Sequence, residues 1–141
     1  MNPERMRAVA DAIEESGRFM YSSWGATLDV EGDEVEGIST TNELAAVGTL
    51  RKCGTTGCIA GWAATLALEE NPMLWGRRNM MISDMAEAYL DLTTTEAHVL
   101  FLGQAMVLAG FYEGDGEALA KGTAIEAAKV LRMVADGEVV L

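Results

Sequence analysis

The chain has 141 residues, with 22 acidic and 10 basic side chains, and its formal net charge is −12. A chain of this length typically forms one domain and buries roughly 70 % of its unfolded surface, so it needs no metal or disulfide to fold. Half of the residues are apolar, which excludes a wholly disordered protein. The acidic balance argues against direct nucleic-acid binding, because contacts to phosphate depend on lysine and arginine.

The start of the chain indicates the compartment. Residues 1–5 contain no apolar stretch and no cleavage site, so they signal neither secretion nor import, and a cytoplasmic protein is expected. The longest uncharged stretch, 53–68, is shorter than the ~20 apolar residues that span a bilayer, which predicts a buried helix and no membrane association. In a reducing compartment Cys53 and Cys58 are expected to be free thiols.

The first predicted element is a helix that begins at the amino terminus. Asn2 supplies a side-chain cap, Pro3 pre-sets the backbone of the first turn, and Gly17 ends the helix. The aromatic-rich segment 19–24 that follows is expected to fold back onto the core.

The segment 26–42 is strongly acidic. Between 29 and 36, carboxylates alternate with apolar residues around Gly32. The alternation permits a short β-hairpin near 26–39, whereas repulsion between the carboxylates favours a solvated loop, so the sequence leaves both interpretations open. The spacing does not match a calcium-binding EF-hand loop.

The segment 51–62 predicts the start of the best-defined helix, which continues to Leu68 and ends near Pro72. Gly57, Gly61 and Ala64 form a stripe of small residues that lets another backbone or a ligand approach closely. Because this helix is apolar on nearly all sides, it is predicted to lie at the centre of the domain.

The second half of the chain contains further helix signals. Capping-box patterns at 93–96 and 123–126 each predict a helix, and Ser83 or Asp84 caps another one. Residues 112–117 form a turn-rich connector. The sequence therefore predicts a mainly α-helical fold, with one compact domain over 1–141 and five or six helices around the central one.

The strongest candidate site is the run of glycines and threonines that follows two basic residues. If this run opens a helix, its backbone N–H groups, its hydroxyls and the two cations converge on a place that favours an anion. The spacing differs from a phosphate-binding P-loop. The candidate ligand-binding residues are Arg51, Lys52, Gly54, Thr55, Thr56, Gly57 and Cys58, with Trp24 and Trp62 as stacking surfaces. Alternatively, the glycines serve close packing and the threonines cap the helix.

Cys58 is the second candidate. In the first turn of the helix its thiolate would be favoured by the helix dipole and by the preceding cations. The only histidine, His98, lies on a separate predicted helix, and the Cys-x4-Cys spacing fits neither a redox pair nor a zinc site. A packed core role is favoured for both thiols, and no metal or cofactor is predicted.

Several of these segments together carry a resemblance. The pattern combines Phe19-Met20 and Trp24, the block from Cys53 to Ala63, the run 88–101 and the run 123–137. It resembles a family of small uncharacterised proteins from bacteriophages and from actinobacterial and other bacterial genomes, in which a CGTxxCIAGWA motif is the most specific part. The acidic segment 29–36 and the end 139–141 depart from the family pattern. The resemblance implies a phage or mobile-element context in the cytoplasm of a bacterial host and brings no activity with it.

Three functional hypotheses follow from this context. The first is a non-enzymatic accessory protein that binds a small anionic or nucleotide-like ligand at the 51–58 helix start and thereby counters host defence. The second is an acidic interaction module that inhibits a host protein, by mimicking nucleic acid or by meeting a basic surface. The third is a thiol enzyme that uses Cys58. The high apolar content for one small core also predicts a homodimer.

Overall fold

A computed structural model describes residues 1–17, 19, 26–28, 34–37, 55–56, 58–73 and 82–141, and for the three short strands it describes the backbone alone. The helices in these residues are α1 (Pro3–Ser16), α2 (Ile59–Glu70), α3 (Ile82–Leu90), α4 (Thr94–Phe101), α5 (Gln104–Leu108), α6 (Asp115–Lys121) and α7 (Ala124–Ala135). The predicted mainly α-helical fold is confirmed.

The described part of the chain contains seven helices, where the sequence predicted five or six in all. The difference arises around the predicted connector. α5 has five residues and α6 has seven. Gly103 and Gly110 adopt left-handed backbone angles, with φ of 83° and 82°, and these glycines bound α5 on both sides. Two glycine-bounded elements this short give little helical periodicity in the sequence, which is why they were not predicted.

Local capping positions α1, α4 and α7 as the sequence predicts, whereas α3 begins at Ile82, so Ser83 and Asp84 lie inside this helix and the prediction that one of them caps it is wrong. The Oδ1 atom of Asn2 accepts the backbone N–H of Arg5 at 3.1 Å, and Gly17 ends α1 with a left-handed φ of 65°. Both predicted capping boxes are confirmed, at Thr93 to Glu96 before α4 and at Thr123 to Glu126 before α7.

Three short strands form one antiparallel sheet in the order β2-β1-β3. These are β1 (Ala26–Leu28), β2 (Glu34–Gly37) and β3 (Thr55–Thr56). Ala26 lies opposite Gly37 on one side and opposite Thr56 on the other, and the register shifts between Thr27 and Leu28. β1 and β2 fall within 26–39, where the alternation permitted a hairpin, and the residues that connect them lie outside the described part of the chain.

The core is built around α2. α2 packs mainly against α3 and also contacts α1 and α4, while α1 packs along α7. The largest fully buried side chains come from nearly every part of this arrangement: Trp62, Met6, Ile13, Ile59, Ile82, Met85, Leu90, Leu100, Met106 and Leu131. The prediction of a central helix is therefore confirmed. Among the helices that the structure describes, none is both long and apolar enough to cross a membrane.

Candidate functional site

The predicted anion site depends on where α2 begins. α2 begins at Ile59, and Cys58 is its N-cap, with the Sγ atom accepting the backbone N–H of Gly61 at 3.4 Å. Thr55 and Thr56 form β3 and pair with β1 instead of opening the helix. The prediction that the glycine and threonine run itself forms the helix N-terminus is therefore wrong. The physical reason is that β-branched threonine favours extended backbone, and that β1 provides a strand with which these two threonines can pair.

The other residues of the predicted site divide into two groups. Trp24, Arg51, Lys52, Gly54 and Gly57 lie outside the described residues. Trp62 is described, and its side chain is completely buried in the core. It therefore offers no exposed ring face on which a ligand could stack.

The first turn of α2 is closed off from solvent. Cys58 is 4 % exposed, and Ile59, Ala60 and Trp62 are 0 % exposed. A ligand at this helix start would have to replace packed protein. Within the part of the chain that the structure describes, this burial weighs against an open anion site, and the site as a whole stays a prediction that rests on residues 51–57.

Burial also decides the chemistry of Cys58. Loss of hydration raises the pKa of its thiol from 9.0 to about 11, although the backbone N–H groups of Gly61 and Ala60 act in the opposite direction. The helix start thus favours the thiolate as predicted, but the cost of burying the charge exceeds this benefit, and the packed core role predicted for Cys58 is confirmed. His98 is exposed on α4. Together these observations weigh against a thiol enzyme that uses Cys58.

The electrostatics of the described surface follow from how its basic side chains are used. Each of the five basic side chains in the described residues has a partner inside the protein. The contacts are Arg5 with Glu70 (3.5 Å), Arg7 with Asp136 (2.6 Å), Arg132 with Asp11 (2.8 Å) and Glu14 (2.5 Å), Lys121 with Glu117 (3.4 Å), and Lys129 with the ring of Phe111 (5.4 Å). Sixteen Asp and Glu side chains have a described burial, about three for each of these five cations, and all sixteen are exposed or half-buried. The surface is consequently a source of negative potential.

A cavity of about 430 Å³ lies at the opposite end of α2 from the predicted site. It is formed by the first turn of α1 and by the last turns of α2 and α3. Its lining residues are Arg5, Ala67, Glu70, Asn71, Met85, Ala88 and Tyr89. Neither the motif nor the composition of the chain pointed to this place.

Arg5 and Tyr89 form the polar wall of this cavity. The guanidinium carbon of Arg5 lies 4.7 Å from the centroid of the Tyr89 ring. Its Nη1 atom donates to the carbonyl oxygen of Tyr89 at 3.0 Å, and its Nη2 atom lies 3.5 Å from Oε2 of Glu70. Burial raises the pKa of the Tyr89 hydroxyl, and the nearby carboxylates of Glu70 and Glu69 raise it further, while Arg5 lowers it. The ring thus lies in a negative environment that Arg5 neutralises only in part.

One signal in the sequence could have marked this cavity. Arg5 lies in the first turn of α1, and Glu69 and Glu70 lie in the last turn of α2. Each charge has the sign that the dipole of its own helix disfavours. A charge that its own helix end disfavours is expected where a second helix end brings an opposite charge close to it.

The exposed apolar side chains bear on the predicted homodimer. Leu102 is 49 % exposed, Leu108 is 53 % exposed and Ile125 is 72 % exposed. Phe111 and Tyr112, in contrast, are partly buried against the core. The homodimer stays a prediction.

Within the described residues, no three His, Cys, Asp or Glu side chains lie together in a way that could hold a metal ion. Comparisons with protein-family models, with curated proteins and with solved structures find no match to this chain. The resemblance to phage and actinobacterial proteins therefore stays a prediction.

Proposed function

We propose that this protein is an acidic interaction module that binds a basic region of a partner protein. The proposal depends on one observation, which is that the described basic side chains contact other groups of the protein. All five described cations are engaged within the molecule, so the surplus carboxylates determine the field that a partner meets. A surface with one dominant sign of charge accelerates association with a partner of opposite sign and disfavours partners of the same sign.

The carboxylates Glu15, Glu113 and Glu138 illustrate this surplus, since they are exposed and belong to α1, to the loop before α6 and to the end of the chain. They lie in different parts of the described surface. The attraction they exert is therefore broad, and a partner with an extended basic face would gain most from it. Proteins that bind nucleic acid have such faces, which is why mimicry of nucleic acid is one form that this function can take.

The other two hypotheses receive less support from the described residues. Binding of a small anion would work against a net charge of −12, and the described first turn of α2 is buried. Thiol chemistry at Cys58 would need a thiolate at a position where burial raises the pKa to about 11. In the phage context that the resemblance implies, the basic partner would be a host protein.

The proposal is tested by measuring the binding of a fluorescent oligolysine peptide by anisotropy. We expect binding at low salt that weakens steeply between about 50 and 200 mM salt, and no binding of an oligoglutamate peptide. The triple variant Glu15→Gln, Glu113→Gln, Glu138→Gln should bind more weakly than the wild type.

A matched control separates charge from general disturbance of the surface. The double variant Arg7→Gln, Asp136→Asn removes an ion pair and leaves the net charge unchanged, so it should bind like the wild type. If the oligolysine peptide fails to bind at low salt, or if the triple variant binds it as tightly as the wild type, the proposal is wrong.

A further inference from the structure

The cavity between the ends of α1, α2 and α3 has the size and the walls of a small binding pocket. Its volume of about 430 Å³ falls in the range of roughly 300–1,000 Å³ that is common for ligand sites. Tyr89, Met85 and Ala67 are buried in its wall, while Asn71 and Ala88 are exposed at its mouth. The pocket therefore combines an apolar interior with access from solvent.

The charges around the cavity favour a cation. α2 ends at Glu70 and α3 ends at Leu90, so the partly negative carbonyl ends of two helices lie beside the cavity, against the partly positive N-terminal end of one helix, α1. The carboxylates of Glu70 and Glu69 act on Tyr89 in the same sense. The face of an aromatic ring adds further attraction for a cation.

Arg5 shows which cation fits. Its guanidinium group lies over the ring of Tyr89, donates to a main-chain carbonyl and pairs with Glu70. A planar guanidinium can make these three contacts at once, whereas the ammonium group of lysine is a point charge without a stacking face. The side chain of Arg5 is 40 % exposed, so solvent can receive it without unpacking the core.

We infer that this cavity binds an arginine side chain of the partner protein. The incoming guanidinium takes the place of Arg5 on the ring of Tyr89 and pairs with Glu70, while its methylene stem lies along Ala67, Met85 and Ala88. This inference rests on the proposed function, because it takes the arginine from a basic partner. It goes further in naming one side chain and one place where that side chain binds.

The direct test is an NMR titration of protein with labelled methionine and alanine methyl groups, in which the methyl signals of Met85 and Ala88 report on the cavity. The ligand is the capped peptide Gly-Arg-Gly. We expect these two signals to shift with the arginine peptide, to shift less with the lysine counterpart, and not to shift with the citrulline counterpart, which keeps the shape and lacks the charge. Equal shifts with the citrulline peptide would overturn the inference.

Two substitutions with opposite expected effects make the test specific. Glu70→Gln should raise the dissociation constant of the arginine peptide about three- to tenfold, because it removes the carboxylate partner. Arg5→Gln should lower it, because it removes the internal competitor. Glu117→Gln makes the same change of charge as Glu70→Gln on a different helix, α6, where Glu117 pairs with Lys121 at 3.4 Å, and it should leave the cavity signals as they are in the wild type. Because Arg5 and Glu70 are 40 % and 53 % exposed, we expect the variants Arg5→Gln and Glu70→Gln to fold. Thermal melting of each variant verifies this.

The outcomes distinguish the inference from the proposed function. If Glu70→Gln and Glu117→Gln weaken the binding of the arginine peptide equally, or if Arg5→Gln weakens it, the cavity does not bind the arginine, and the acidic interaction module still stands when oligolysine binds. If neither oligolysine nor the arginine peptide binds at low salt, both proposals fail. Butylguanidinium forms a third arm of the titration. We expect it to bind more weakly than the peptide, and equal or tighter binding would overturn the assignment to a partner's side chain.

Discussion

Gly103 connects α4 to α5 at a point where α6 passes very close to the backbone. Its φ of 83° lies in the left-handed region, which residues with a side chain rarely adopt. A Cβ atom added there would lie 3.2 Å from the Cβ atom of Ala118 and 3.4 Å from the carbonyl oxygen of Asp115. Both neighbours belong to α6. The position therefore requires glycine for two independent reasons, the backbone conformation and the short distance to α6.

We predict that Gly103→Ala lowers the free energy of unfolding by about 2–3 kcal/mol, as the sum of two costs. An alanine in left-handed backbone costs about 1–2 kcal/mol, and crowding against α6 adds about 1 kcal/mol. Gly110→Ala is the matched control. Gly110 has nearly the same φ, 82°, and no atom within 4 Å of the position of a Cβ, so only the conformational cost applies. The difference between the two variants measures the crowding alone.

The measurement is urea-induced unfolding followed by circular dichroism. A difference of about 1 kcal/mol between the variants corresponds to a shift of roughly 0.3–1 M in the urea midpoint, because the free energy of unfolding of small proteins falls by about 1–3 kcal/mol per molar urea. Gly116→Ala inside α6 has open space around the position of its Cβ and should stabilise the protein by up to about 0.5–1 kcal/mol. If Gly103→Ala and Gly110→Ala unfold at the same urea concentration, the close approach of α6 to Gly103 is refuted.

The remaining predictions concern pH, thiol reactivity and salt. The carboxylate of Glu96 accepts the backbone N–H of Thr93 at 2.8 Å, which holds the pKa of that carboxyl below its ordinary value of 4.5. Its contribution to stability is therefore present above about pH 4.5 and is lost as the pH falls through the lower pKa of the folded state, so Glu96→Gln should flatten the acid limb of the stability profile. In a Cys53→Ser background, the Cys58 thiol should react slowly with iodoacetamide near pH 8 in the folded protein and quickly in urea; rapid labelling without urea, detected by mass spectrometry, would contradict its burial. Arg132→Gln should lower the free energy of unfolding by about 0.5–1 kcal/mol at low salt, because it removes the ion pairs with Asp11 and Glu14. Urea titrations should show a smaller loss in about 1 M NaCl, where salt screens these pairs. A loss of the same size at both salt concentrations would show that the ion pairs do not cause the destabilisation.

The parts of the fold that sequence predicts well are those that depend on neighbours within one helical turn. The capping box at Thr93 needs only Glu96, three residues away, and the box at Thr123 needs only Glu126. Both patterns are complete within four residues, so no information about the rest of the fold is required. The same holds for the start of α1 at Asn2, where the acceptor and the donor lie in one turn.

The parts that sequence predicts poorly depend on distant segments. Thr55 and Thr56 lie in a strand because β1, about 28 residues earlier in the chain, is there to pair with them, and the same two residues would otherwise be suitable for capping a helix. The state of Cys58 depends on how completely the core covers it, since the helix dipole and desolvation act in opposite directions on its thiol. Neither quantity can be obtained from the local sequence, and the predicted anion site depended on both.

The cavity at Arg5 could be predicted from the sequence only by combining two distant segments, the first turn of α1 and the last turn of α2. An arginine in the first turn of α1 and two glutamates in the last turn of α2 each oppose the dipole of their own helix. Taken separately, each is a small loss of stability that evolution could remove by exchanging the charge. Taken together, they bring the positive charge of Arg5 to the negative end of α2 and beside Tyr89, at distances of 3.5 Å and 4.7 Å. Since the pair is half-exposed, it is worth little to the stability of the fold. The ion pair with Glu70 therefore adds little to the cost of displacing Arg5, and the main contacts that an incoming arginine must replace are the hydrogen bond to the Tyr89 carbonyl and the contact with its ring.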